Sequence, residues 1–130
     1  MNVAPNNLKF TSSHEWVRVE EDYVVVGITD YAQTLLGELV YVELPDVGDV
    51  IARDEDCAVV ESVRAVSDVY CPVDGQIIEI NEQLEKEPQR VNEDPYHTGW
   101  LFKLQVDDPK QLEVLLDAAA YQKQVAEEAH

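Results

Sequence analysis

Short runs of β-forming residues, each followed closely by a turn residue, recur along most of this chain of 130 residues. Proline, glycine and an Asp-Gly pair end several of the runs, as at Pro45, Gly48 and Asp74. Because strands do not alternate with long helices, the pattern excludes a doubly wound α/β domain and favours a small β-barrel or sandwich. The predicted strands cover residues 24–28, 40–44, 50–52, 57–62, 65–70, 76–80 and 100–106.

A short helix is predicted after the first of these strands. Asp30 followed by Gln33 has the form of a capping box, in which each side chain bonds the backbone amide of the other residue. Gly37 suits the position just past a helix end, so the helix should end near Leu36. Residues 81–99 carry prolines and charges and predict a long ordered loop with room for one helical turn.

The C-terminal segment changes to a helical period. Asp108 before Pro109 is typical of a helix start, and three leucines follow at helical spacing. Asp117 is a candidate N-cap for a further helix. We therefore expect one mainly β unit with added helices. The unit should cover residues 1–130, with a β core at about 8–106 and a helical segment at about 108–128.

The chain is strongly acidic, since 27 acidic residues against 9 basic ones give a net charge of −18. Nucleic acids and anionic membranes attract lysine and arginine, so neither is an expected partner. The charge has two interpretations: it keeps the protein soluble, or it steers the protein towards basic partner enzymes. No apolar run approaches the roughly 20 residues of a membrane helix. The start, MNVAPNNLKF, lacks the features of a secretory signal, so we expect a cytoplasmic protein.

Catalytic and metal-binding motifs are missing from the sequence. It contains no nucleophile elbow, phosphate loop or dinucleotide fingerprint. His14, His97 and His130 lack the spacing of metal ligands. Neighbouring residues on a strand point to opposite faces, so His14 beside Glu15 reads as a surface histidine rather than half of an acid–base pair. These observations predict a non-enzymatic, β-rich binding module without a metal.

Two cysteines are too few for a disulfide scaffold. If the turn of residues 57–71 is centred on Val63 and Arg64, then Cys57 and Cys71 lie nearly opposite each other on two strands. Two interpretations stay open: a pair of small buried residues, which is the commoner situation, or a cross-strand redox pair. A reducing cytosol would leave both as free thiols.

The segment 59–70, VVESVRAVSDVY, predicts a hairpin with Arg64 near its tip. Glu61 and Asp68 flank Arg64 and could pair with it across the hairpin. Exposed pairs of this kind contribute about 0–1 kcal/mol, so pairing alone does not explain these residues.

The same segment resembles the lipoylation hairpin of the glycine cleavage system H protein, where E-S-V-K-A-x-S-D places a lysine at the position of Arg64. The resemblance extends from about Leu8 to Glu128 and implies a lipoyl-domain-like barrel-sandwich hybrid with C-terminal helices. The shared residues include His14-Glu15-Trp16, Val26-Gly27-Ile28-Thr29, Leu36-Gly37, Leu44-Pro45, Ser67-Asp68, Val91-Asn92, Pro95-Tyr96, Gly99-Trp100 and Leu115-Leu116-Asp117-Ala118.

The resemblance also implies a role. An H protein is a non-catalytic carrier whose lipoyl arm moves the aminomethyl group of glycine from the P protein (glycine decarboxylase) to the T protein (aminomethyltransferase). The L protein (dihydrolipoamide dehydrogenase) then reoxidises the arm. Lipoate-attaching enzymes would be further partners, and a monomer is expected. In this sequence the attachment position is Arg64, and the residues beside it are Glu61, Ser62, Val63 and Ala65.

A sheltering cleft is implied as well. By resemblance it would be formed by Ser13, Glu15 and Asp68, whose polar groups would hold the aminomethyl amine.

Arg64 itself departs from the family pattern. Its guanidinium stays protonated, whereas a lysine amine can lose its proton and attack an activated acyl group. We therefore expect no lipoate on this chain. The sequence is compatible with an H protein carrying a Lys→Arg change or with an H-like paralogue that docks or regulates without carrying cargo. A redox module based on Cys57 and Cys71 is the third alternative.

Overall fold

The structure, a computed structural model, describes residues 3–129 of the chain. Residues 1, 2 and 130 belong to the expected single unit but lie outside this range, so His130 is not described. Within the described part, nine strands form two antiparallel sheets. The strands are β1 Leu8–Phe10, β2 Glu15–Val19, β3 Tyr23–Ile28, β4 Leu39–Glu43, β5 Val50–Ile51, β6 Asp56–Ser62, β7 Val66–Tyr70, β8 Gly75–Ile80 and β9 Phe102–Val106.

The larger sheet has six strands in the order β1-β2-β3-β9-β8-β5, and the smaller sheet has three in the order β4-β6-β7. Strand β3 is buried along almost its whole length because its two faces belong to different apolar clusters. Val24 and Val26 belong to the main core, which also takes residues from the smaller sheet. Val25 belongs to a second cluster with Phe10, Trp16 and Tyr121.

The predicted fold class, mainly β with added helices, is confirmed, although the two sheets do not close into a barrel. Every predicted strand is present within a few residues of its expected bounds. Strands β1 and β2 were not predicted. The first has only three residues, and Glu15 and Arg18 interrupt the apolar alternation of the second.

Helix α1, Asp30–Leu36, has the expected bounds, but the expected cap is wrong. Thr29 has the extended backbone of an N-cap, and its hydroxyl accepts from the amide of Ala32 at 3.2 Å. Asp30 is already helical, and its carboxylate accepts instead from the side chain of Gln33 at 2.8 Å. A threonine one position earlier therefore takes the role assigned to Asp30.

The predicted loop at 81–99 contains two four-residue helices, α2 Gln83–Lys86 and α3 Arg90–Glu93, rather than one turn. The C-terminal segment is helical as predicted. It consists of a 3-10 helix, Pro109–Val114, and helix α4, Ala118–Glu128. Asp108 and Asp117 are their N-caps, as expected. In residues 3–129 no helix combines the length and apolar composition needed to cross a membrane.

We predict that Gly27→Ala lowers the free energy of unfolding by about 1–3 kcal/mol, because the added methyl overpacks the core. Its Cβ would lie 2.6 Å from the indole of Trp16, which is fully buried. The indole also donates to the carbonyl of Pro95 at 2.9 Å and cannot move without breaking that bond. Urea unfolding measures the effect.

The matched control is Val50→Ala on strand β5, where the side chain is 76% exposed. This change should alter stability by less than about 0.5 kcal/mol. Equal effects of the two substitutions would contradict the packing argument.

Candidate functional site

The hairpin between β6 and β7 has a tight turn whose conformation is fixed by Ser62. The Ser62 amide donates to the carbonyl of Ala65 at 2.8 Å. Its hydroxyl accepts from the amides of Arg64 at 3.3 Å and Ala65 at 3.1 Å. Val63 is 85% exposed at the tip, beside Arg64. The structure thus places the predicted tip residues, together with Glu61 at the end of β6, in one hairpin.

The guanidinium of Arg64 binds the end of helix α1. Its Nε donates to the carbonyl of Leu36 at 3.0 Å, and its Nη2 donates to the carbonyl of Thr34 at 3.2 Å. The last carbonyls of a helix lack intrahelical partners and carry partial negative charge, so a cation is stabilised there. Helix α1 has no basic residue of its own in its last turn. Arg64 supplies that charge from 28 residues away in sequence.

Gly37 provides the space for this contact. Its φ of +86° is one that residues with a side chain rarely adopt. A Cβ on Gly37 would lie 3.1 Å from Nε and Nη2 of Arg64. Asn92 holds the same connection, because its side chain donates to the Gly37 carbonyl and accepts from the Leu39 amide, both at 2.9 Å. No pattern in the sequence indicated this use of Asn92.

Arg64 does not form the pair with Glu61 or Asp68 that the sequence allowed. Within residues 3–129, no carboxylate lies at ion-pair distance from the Arg64 guanidinium. In the ladder Glu61 is opposite Val66, and Asp68 is opposite Val59 further from the tip. The fixed carbonyls of α1 lie beside the tip, and the long side chain of Arg64 binds them instead.

Glu15, one of the three residues expected to form a cleft, is held by a network of hydrogen bonds. The residue is 1% exposed although it carries a carboxylate. Its Oε1 accepts from the hydroxyl of Ser13 at 2.5 Å and from the hydroxyl of Thr11. Its Oε2 accepts from the backbone amide of Tyr70 at 3.1 Å. Because Glu15 is in β2 and Tyr70 in β7, the carboxylate joins the two sheets.

Asp68 lies two residues before Tyr70, and both are exposed on strand β7. The structure therefore brings Ser13 and Glu15 into contact and places Asp68 on the strand that Glu15 binds. It shows no hydrogen bond from the described residues to the Asp68 carboxylate. Thr11 was missed by the sequence analysis. The available signal was the alternation of hydroxyl residues, Thr11 and Ser13, ahead of Glu15.

His14 is not the surface histidine that was predicted, because its side chain is only 16% exposed. Its Nδ1 lies 2.8 Å from the hydroxyl of Tyr121, and its Nε2 lies 3.0 Å from Oε1 of Glu128. A hydrogen bond from the Gln124 side chain lowers the pKa of the Glu128 carboxyl, and the hydrogen bond with His14 lowers it further. Burial raises the pKa of Tyr121. As predicted, the His14 and Glu15 side chains have separate partners.

Both cysteines of residues 3–129 are free thiols. Cys57 lies at a β-bulge and donates to the Val69 carbonyl at 3.5 Å, while the fully buried Cys71 donates to the Val73 carbonyl at 3.1 Å. Contact with the Cys71 thiol and burial raise the pKa of Cys57. A protonated thiol is a poor nucleophile, so this geometry favours two packed thiols, Cys57 half-buried and Cys71 buried, over a reactive pair.

No group of three or more His, Cys, Asp or Glu side chains in the described residues is arranged to hold a metal ion. Asp94 and His97 do pair, at 3.0 Å between Oδ1 and Nδ1, but they lie on a solvent-exposed turn.

Comparison with known proteins gives consistent results. Residues 8–128 match the family model described as glycine cleavage H-protein. The glycine cleavage system H protein of Aeromonas salmonicida is 54% identical over 129 residues, covering 98% of this chain and 100% of that protein. That of Thiobacillus denitrificans is 56% identical over 127 residues, covering 97% and 98%. The crystal structure of a glycine cleavage system H protein from Mycobacterium marinum has a TM-score of 0.87 at 37% identity, covering 94% of this chain and 98% of that one.

We predict that Arg64→Ala lowers the free energy of unfolding by about 0.5–1.5 kcal/mol, since it removes hydrogen bonds to the end of α1. Urea unfolding measures the loss. Arg53→Ala is the matched control, because the guanidinium of Arg53 has only a 3.7 Å contact with the exposed Asp54. The control should cost less than about 0.5 kcal/mol. If Arg64→Ala lowered the free energy of unfolding no more than Arg53→Ala, the contact of Arg64 with α1 would contribute nothing to stability.

A second prediction concerns the thiols. Alkylation in denaturant without reductant should modify both Cys57 and Cys71 in protein taken from a reducing cytosol. Intact mass gives the number of alkyl groups. A chain that takes up two groups only after reduction would favour the redox pair instead.

Proposed function

Because the chain belongs to the glycine cleavage H-protein family, we propose that it is a non-catalytic component of the glycine cleavage system that carries no lipoate in its present sequence. The observation that carries this proposal is the guanidinium of Arg64 at the attachment position of the hairpin, bound to the carbonyls of Leu36 and Thr34.

Lipoate does not fit the residue at this position. An amide to lipoate forms on a neutral amine, whereas a guanidinium stays protonated and does not attack an acyl group. The hydrogen bonds to α1 hold the side chain against the protein. The remaining lysines lie outside the hairpin that a lipoate-attaching enzyme recognises in this family. They are Lys9, Lys86, Lys103, Lys110 and Lys123.

The other features expected of an H protein support a role with the same partner enzymes. The turn at Ser62 keeps a tight hairpin, and Val63 projects from its tip. The hydrogen bond between Ser13 and Glu15, and the bond from β7, the strand of Asp68, to Glu15, support the proposal that these three residues hold the amine. We infer that Arg64 alone limits the carrier function.

The partners that follow from this proposal are the P, T and L proteins and the lipoate-attaching enzymes. The net charge of −18 suits docking on basic partner surfaces. We place the chain in the cytoplasm as a monomer.

The second candidate is an H-like paralogue that docks on these enzymes, or regulates them, without carrying anything. One observation favours it: the contact of Arg64 with α1 makes the residue part of the fold. Such a chain would occupy the docking sites of a working carrier and compete with it.

Arg64→Lys is the test of the proposal. Incubation with a lipoate-attaching enzyme should leave the mass of the unchanged chain unaltered and add one lipoyl group to Arg64→Lys. The lipoylated variant should support glycine cleavage with the P, T and L proteins. Arg53→Lys is the matched control, since it adds a lysine at an exposed turn away from the hairpin. It should gain nothing.

Three results would count against the proposal. A lipoyl adduct on the unchanged chain would show that another residue serves as the acceptor. Modification of Arg53→Lys would show that the hairpin does not select the site. If Arg64→Lys were lipoylated but inactive, the carrier body would already be impaired. The paralogue would then be favoured if the unchanged chain inhibited an active H protein in the same assay.

A further inference from the structure

We propose that His14, held by the C-terminal helix α4, is a positioning residue for the Glu15 carboxylate in the cleft formed with Ser13 and Asp68. This inference rests on the function proposed for the cleft and adds an element to it. Helix α4 is about a hundred residues away in sequence and contributes no group to the cleft itself.

The backbone at His14 is strained. Its φ is +75°, a left-handed conformation that is uncommon for a residue other than glycine. Two backbone bonds keep this geometry: the His14 amide donates to the carbonyl of Thr11 at 3.2 Å, and the His14 carbonyl accepts from Thr29 at 3.0 Å. Such strain persists only where the surroundings hold it, and here the ring supplies a further restraint.

Helix α4 provides that restraint through the side chain of His14. The hydroxyl of Tyr121 lies 2.8 Å from Nδ1 of the ring, and Glu128 binds Nε2 at 3.0 Å. Gln124 fixes the same turn because its amide donates to the carbonyl of Ser12 at 2.8 Å. Tyr121 is itself held, since its ring stacks on Phe10 with the centroids 4.6 Å apart. Three residues of α4 therefore bind two residues of the β1–β2 turn, Ser12 and His14.

The same turn supplies the donors to Glu15. A buried carboxylate is costly unless its oxygens are hydrogen-bonded. Two of its three donors, Thr11 and Ser13, lie in the turn just before the strained residue. Its remaining donor is the amide of Tyr70 on β7. If the turn relaxes at His14, the hydroxyls move away from Oε1 and the bond from Tyr70 weakens. Contact with α4 therefore determines the geometry of the cleft and its link to the hairpin strand.

The experiment uses all 130 residues with Arg64 retained, so it requires no lipoate. Tyr121→Phe keeps the ring stacked on Phe10 and removes the hydroxyl that binds His14. His14→Asn keeps a residue that tolerates left-handed φ and removes the imidazole. Glu127→Gln is the control, a neutralisation one position from Glu128 at an exposed residue of α4.

Two NMR observables report on the cleft: exchange of the Tyr70 amide hydrogen and the side-chain carboxyl carbon resonance of Glu15. In Tyr121→Phe and His14→Asn, Tyr70 exchange should be about fivefold faster, the change expected for one weakened hydrogen bond. The Glu15 resonance should move in both variants. The double variant should add little to either single change, because both substitutions break the same contact. Glu127→Gln should leave both observables unaltered.

Unchanged Tyr70 exchange and Glu15 resonance in both variants would overturn the proposal and leave α4 as packing alone. Exchange that rises equally at Leu104, in the core of the larger sheet, would also overturn it, because the loss would then be global. Neither observable depends on lipoylation. A failure here is therefore distinct from a failure of Arg64→Lys to restore carrier function.

Discussion

The buried carboxylate of Glu15 connects the two sheets of this protein. A charge in the interior must be hydrogen-bonded at both oxygens, and a strand residue cannot supply those donors to itself. The β1–β2 turn therefore brings two hydroxyls to Oε1, while β7 gives the amide of Tyr70 to Oε2. These hydrogen bonds hold the conformation of the β1–β2 turn and join the smaller sheet to the larger one. Because Tyr70 ends β7, they also hold the base of the hairpin. Its tip presents Arg64.

A second polar requirement is met at the other end of that hairpin. Helix α1 ends with free carbonyls beside Gly37, and the chain offers no basic residue in the last turn of the helix. Arg64 satisfies them with a planar group whose N–H donors diverge, so two carbonyls are bound at once. The hairpin is thus tied to the larger sheet at its base through Glu15 and to α1 at its tip. Both ties are polar, and both depend on geometry that apolar packing would not specify.

Local patterns predicted much of this architecture. Strand positions, the bounds of α1 and the caps at Asp108 and Asp117 depend on neighbours in sequence, and these predictions were accurate. Two errors have a different cause, namely contacts between residues far apart in sequence. Arg64 was expected to pair with nearby carboxylates but binds a helix 28 residues earlier, and His14 contacts Tyr121 across 107 residues. A sequence alone gives no measure of such distances. Likewise, Ser13 and Glu15 were identified through family resemblance, whereas their donor network became visible only in the fold.

In the function proposed above, an arginine at position 64 separates the H-protein fold from its lipoyl cargo. Lysine and arginine are both long cations, so either fits an exposed hairpin tip beside carbonyls with little change in the fold. They differ in whether the side chain can lose its proton, and the fold does not depend on that difference. A lysine that binds a helix end must lose both its proton and its contact before it can be acylated. Arginine keeps its proton and its contact with α1. The side chain that stabilises the tip of the hairpin therefore offers no nucleophile to an acyl group.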